Sequence, residues 1–105
     1  MNIIHTQKAP AAIGPYSQGY AVNDLVFTSG QIPVDPATGA IPEGIAAQCA
    51  QSCKNVAAIL EAAGVSMDKV FKTTCFLADM DDFAVFNGVY AQYIVSKPAR
   101  SCVAV

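Results

Sequence analysis

From about Gly44 to Ala63 the residues Ile45, Cys49, Cys53, Val56, Leu60 and Ala63 recur at steps of three and four. That period is one stripe of an amphipathic helix, and such a helix must bury its apolar stripe against another element. Pro42 and Glu43 suit the helix start, and Gly64 is placed for a left-handed stop. The rest of a 105-residue chain has to be arranged around this helix. That length is one domain's worth, and residues 1–105 are read as a single domain.

On either side of the helix the period falls to two. In "YAVNDLVFTSGQIPV" two apolar runs flank Asn23-Asp24, both tolerant of positive φ. Tyr20–Val22 and Leu25–Thr28 are therefore expected to pair as antiparallel strands. Gly30 breaks the second strand and permits a bulge or a close backbone approach. "APAAIGPYSQGY" reads as an irregular arm and "VDPATGAIPEG" as a loop. After the helix, Phe71, Thr73, Cys75 and Leu77 point one way along a strand, and Val70, Lys72, Thr74 and Phe76 the other. Asp79 or Asp81 can cap a second helix from about Asp82 to Ile94, with the stripe Phe83, Phe86, Tyr90 and Tyr93. Pro98 prevents further helix, and Ser101–Val105 reads as a last strand. The order β-β-α-β-α-β predicts an α+β fold, with two helices packed on one face of a mixed sheet.

The opposite sheet face, with Lys72, Thr74 and Phe76, needs a cover. Composition points to a partner subunit. Hydrophobic residues make up 53% of the chain and charged residues only 13%. So small and weakly charged a protein is expected to bury surface by self-association. The net charge is −2 and the cations Lys8, Lys54, Lys69, Lys72, Lys97 and Arg100 are scattered. The phosphate-tracking patch of a nucleic-acid binder is therefore missing. No apolar run is long enough to span a membrane, and "MNIIHTQKAP" lacks the apolar core of a secretory signal. A cytoplasmic location is expected. Cys49 and Cys53 lie on one helix face, but without a C-x-x-C and with only the distant His5 they read as buried small hydrophobes rather than a metal site.

Arg100 is the leading candidate for chemistry. A guanidinium is always charged and offers a planar fork to a carboxylate. Pro98 fixes the backbone approach and the following strand is rigid. On position alone, a surface arginine paired with an aspartate is the alternative. Cys102 projects to the same side as Arg100. It is either a pocket wall or, beside a cation, a nucleophile, although no histidine base is near in sequence. Tyr16, Ser29 and Gly30 are irregular positions beside strands. Asn87 is a poor helix former on an otherwise apolar helix, placed to reach a backbone group or a ligand. Asp79, Asp81 and Asp82 are explained by a helix start.

"AIGPYSQG", "TSGQIPVDPATG", "QCAQSCKNVAAILEAAG" and above all "KPARSCVAV" resemble the RidA/YjgF family of imine deaminases over essentially the whole chain. The resemblance implies a chorismate-mutase-like fold assembled as a homotrimer, with the sheets forming an inner barrel and three sites at subunit interfaces. It implies hydrolysis of 2-enamine and 2-imine acids, such as 2-aminoacrylate and 2-iminobutyrate, to 2-keto acids and ammonia, without a cofactor or metal. By the same resemblance Arg100 grips the substrate carboxylate and Cys102 lines the pocket and offers its backbone amide. Ser29 and Gly30 supply contacts, Tyr16 closes the pocket and Asn87 supports it. Family members normally continue through an "LP-G" turn into a further strand that brings a water-positioning carboxylate. The chain is accordingly expected to lack that last strand. Two other functions stand beside this one. The first is a small-carboxylate binding or regulatory module without hydrolysis. The second is an RNA-directed role, which the acidic net charge disfavours.

Overall fold

The structure, a computed structural model, describes residues 2–105. Its strands are β1 (Asn2–Ile4), β2 (Gly19–Val22), β3 (Leu25–Thr28), β4 (Lys72–Leu77) and β5 (Ala99–Ala104); its helices are α1 (Ile45–Ala62) and α2 (Phe83–Tyr93). β2 and β3 form the expected hairpin in the register Tyr20↔Phe27 and Ala21↔Val26. Asn23 takes the left-handed conformation at the turn, with φ 52°. β1 was not legible in the sequence: three residues are too few to show a period, and only pairing with β2 makes them a strand.

The strands form two sheets rather than one. β1-β2-β3 is antiparallel, and β4-β5 is a separate parallel pair in the register Thr73↔Arg100 and Cys75↔Cys102. α1 serves both. One of its faces packs Cys49 and Cys53 with Leu77, Phe86 and Ile94. The adjacent face sets Ile59 against Ile4 and Ala9 under the three-stranded sheet. The single stripe read from the sequence therefore missed the second buried face, where Asn55 and Ile59 are wholly inaccessible.

Local signals explain the element ends. Gly64 sits at φ 77° and its N–H donates to Glu61 O, while the Val65 N–H donates to Leu60 O. That double closure satisfies the last carbonyls of α1 and needs a residue free to adopt positive φ. Asp79 does act as a cap, but of the short 3₁₀ turn Met80–Asp82: its side chain accepts from Asp81 N. α2 starts directly after that turn, so neither Asp79 nor Asp81 caps it. In β4, Lys72, Thr74 and Phe76 are exposed and Leu77 is buried, as the alternation requires.

Candidate functional site

The candidate residues fall into two groups, one at each sheet. The first group is gathered by Gln18, whose side chain is buried in the arm before β2. Its Oε1 accepts from Thr6 N at 2.7 Å, and its Nε2 donates to Thr6 O at 3.0 Å and Pro10 O at 2.8 Å. The arm is therefore fixed although it has no regular structure. Ser29 N donates to Gln18 O at 2.8 Å, and Ser29 Oγ donates to Ser17 O at 2.5 Å. These bonds hold Ser29 and Gly30 beside the turn that carries Tyr16, whose side chain is half exposed. A concavity of about 260 Å³ lies here, lined by residues including Ser17, Phe27 and Ser29. A Cβ built on Gly30 would meet nothing within 4 Å. On its Cβ side Gly30 is therefore open among the described residues.

Asn55 secures the loop that follows. Its Nδ2 donates to Ile32 O at 3.2 Å and Val34 O at 3.0 Å, and its Oδ1 accepts from Gln51 Nε2 at 2.9 Å. Gln18 and Asn55 were both missed from sequence. Each sits among polar neighbours in the sequence, Gln18 after Ser17 and Asn55 after Lys54, so nothing local marks it as buried, and buried amides must find partners.

The second group is built on α2 and β5. Arg100 extends from the start of β5 along the stripe Phe83, Asn87, Tyr90 of α2. Its Nη1 donates to Asn87 Oδ1 at 2.7 Å. Its guanidinium carbon lies 5.3 Å from the Phe83 ring centroid and 4.9 Å from that of Tyr90. A cation over ring faces gains about 0.5–2 kcal/mol. Among the described residues Lys8–Glu61, at 4.0 Å, is the one ion pair, so Arg100 is not paired with an aspartate. One of its five N–H donors is used by Asn87, and the others have no hydrogen-bond partner among the described residues. Tyr90, Ala91, Ile94, Lys97 and Pro98 line a groove of about 420 Å³ beside it.

Cys102 lies two residues along the same face, half-buried, with its thiol side packed on the α1–α2 core. Its backbone is better placed than its sulfur for a ligand. Ala99 N donates to Phe71 O and Val105 N to Leu77 O. With a period of two, the amides of 99, 101, 103 and 105 serve β4, and those of Arg100, Cys102 and Ala104 point to the open edge of the sheet. Asn87, expected to reach a backbone group or a ligand, accepts from the Arg100 guanidinium.

Burial pushes the Cys75 thiol above its usual pKa, and the neighbouring Cys102 adds to that. Cys53 is also held protonated, first by its hydrogen bond with Cys49 and then by burial. Cys49 Sγ donates to Phe86 O at 3.6 Å. These thiols behave as core residues, and among the described residues no cluster of three or more His, Cys, Asp or Glu is arranged to hold a metal ion. Burial likewise raises the Tyr90 phenol, against the opposing pulls of Thr73 and Arg100. No helix among the described residues is long and apolar enough to cross a membrane. No hydrogen bond among them joins the Tyr16–Ser29 group to the Arg100 group.

Comparison with known proteins identifies the family. The sequence model of the family described as endoribonuclease L-PSP matches residues 6–105. A 2-iminobutanoate/2-iminopropanoate deaminase of Salmonella typhimurium is 52% identical, over 97% of this chain and 83% of its own length. The crystal structure of Escherichia coli TdcF with bound serine superposes with a TM-score of 0.96 at 50% identity, over 100% of this chain and 86% of that one. The E. coli YjgF structure gives a TM-score of 0.97 at 48% identity, again over 100% of this chain and 86% of that one. The mixed α+β fold with two helices is shared with these proteins, and the chain belongs to the endoribonuclease L-PSP family, also known as the YjgF/RidA family.

Proposed function

We propose that this protein hydrolyses reactive 2-enamine and 2-imine acids, such as 2-aminoacrylate and 2-iminobutyrate, to 2-keto acids and ammonia. The observation that carries the reading is an arginine fork held by neutral partners alone, at the edge of a groove, with backbone amides open beside it. A substrate carboxylate would take the free N–H groups of Arg100, and the Cys102 amide would hold the other end of the ligand. An iminium carbon adds water readily, so orientation and exclusion of other nucleophiles do most of the catalysis. The name of the Salmonella relative and the serine bound by TdcF support a small amino- or imino-acid ligand.

The site is completed between subunits of a homotrimer whose sheets enclose an inner barrel. Tyr16, Ser29 and Gly30 of one subunit would face Arg100, Asn87 and Cys102 of the next. Two observations support this. The two groups stand on separate sheets, and the open space at Gly30 leaves room for a neighbour. Each chain acts as one domain, with no cofactor called for by the chemistry. The test is release of ammonia and 2-keto acid from freshly generated 2-aminoacrylate. Arg100→Ala should lower kcat/KM at least about a hundredfold, because two charge-assisted hydrogen bonds are lost. Unchanged activity would exclude the reading. Binding of 2-ketobutyrate without turnover would instead favour a carboxylate-binding module. That second reading draws on the lack of a carboxylate in the hydrogen bonds made by Arg100 and Asn87 among the described residues.

A further inference from the structure

We propose that Tyr90, anchored by Thr73, is a positioning residue that sets the guanidinium of Arg100 for carboxylate binding. This rests on the reading of Arg100 as the carboxylate clamp. An exposed arginine on a flexible stem ordinarily has to be ordered when its ligand arrives, which weakens binding. Here the stem is already constrained. Phe83, Asn87 and Tyr90 follow one another at steps of four and three, so they form one row on α2. The guanidinium lies along that row, 4.9 Å from the Tyr90 ring centroid.

The ring itself is fixed from two sides. Its centroid is 5.6 Å from that of Phe86, and its hydroxyl meets Thr73 Oγ1 at 2.6 Å. Thr73 is the register partner of Arg100 on the neighbouring strand. The connections close a loop: from β5 out along the Arg100 side chain, onto the Tyr90 ring, through the phenol to β4, and back across the strand pair. A phenylalanine would fill the core equally well, but would leave both the ring and Thr73 Oγ1 without this tie. The polar tip is thus used to fix the ring under the cation.

Arg100 is the only arginine in the sequence, so its Nε–Hε signal is unique in a ¹H–¹⁵N spectrum. In the wild-type protein that signal should be shifted upfield by the ring beneath it. Tyr90→Leu should return it toward the value of a free arginine and weaken 2-ketobutyrate, measured by calorimetry, about 3- to 30-fold. Thr73→Val, which leaves the ring in place, should move the signal part of the way and weaken binding about threefold. Tyr90→Phe should match it. A folded Tyr90→Leu with an unmoved arginine signal, or with wild-type affinity, overturns the proposal. Should that variant fail to fold, an unmoved signal and wild-type affinity in Thr73→Val overturn it. Arg100→Ala separates the two readings. If it binds 2-ketobutyrate as the wild type does, or the wild type does not bind it, the clamp is wrong. The arginine signal still reports whether Tyr90 positions the side chain.

Discussion

Arg100 differs from an ordinary surface arginine in what surrounds it. Its neighbours are an amide oxygen and two ring faces, which hold the side chain without neutralising its charge. Shape should therefore matter as much as charge. Arg100→Lys keeps the cation but loses the planar fork and the ring stacking. In the deaminase assay it should recover less than about a tenth of wild-type kcat/KM. Cys102 gives the complementary test. Its sulfur faces the core and its amide faces the open strand edge, so Cys102→Ala should keep activity within about threefold of wild type. A loss of several orders of magnitude would mean that the thiol acts as a nucleophile.

At the level of elements, the positions of both groups depend on α1 and on tight contacts beneath the sheets. Gly19 opens β2 directly over α1. A Cβ there would lie 2.9 Å from Ile59 Cγ2 and 3.0 Å from Phe27 O. Both neighbours are fixed, one in the core and the other in the strand ladder. Gly19→Ala should therefore cost about 1–3 kcal/mol of stability, measured by denaturant unfolding. The same strain would tilt the hairpin that carries Ser29, so any loss of activity should exceed the loss of folded protein. Gln18 and Asn55 act alongside this contact, each exchanging a buried amide for several bonds to loop backbone. They let an irregular arm and loop hold a defined shape without secondary structure.

Across the whole molecule, the sheet faces turned away from the helices carry exposed apolar pairs. Phe76 is 65% exposed, beside its register partner Val103 at 46%. Phe27 is 55% exposed, beside its partner Tyr20 at 37%. Neighbouring aromatic and aliphatic pairs on one sheet face are what a partner sheet buries. On the proposed homotrimer, Phe76→Asp should accordingly shift sedimentation from trimer to monomer, and activity should fall with it because the proposed site spans two subunits. A monomeric, fully active variant would refute the shared site.

The sequence alone determined those features whose cause is local. The step of three and four over 44–63, Asn23 at a hairpin turn, Gly64 as a left-handed stop and the alternation along 72–77 all appear where they were read. Each reflects backbone sterics or burial period, which neighbours in sequence suffice to set. Arg100, Asn87 and Cys102 could be singled out because an arginine, a helical asparagine and a cysteine on one face are chemically conspicuous. The tertiary structure alone decided what required distant partners. It made a strand of Asn2–Ile4, split the strands between two sheets, and gave α1 a second buried face. It also turned Tyr90 from one member of an apolar stripe into the support of a cation, because Thr73 and Arg100 reach it only once β4 and β5 have paired. Periodicity records that a side chain is buried. Which groups meet it there depends on strand register, which is settled only when the sheets form.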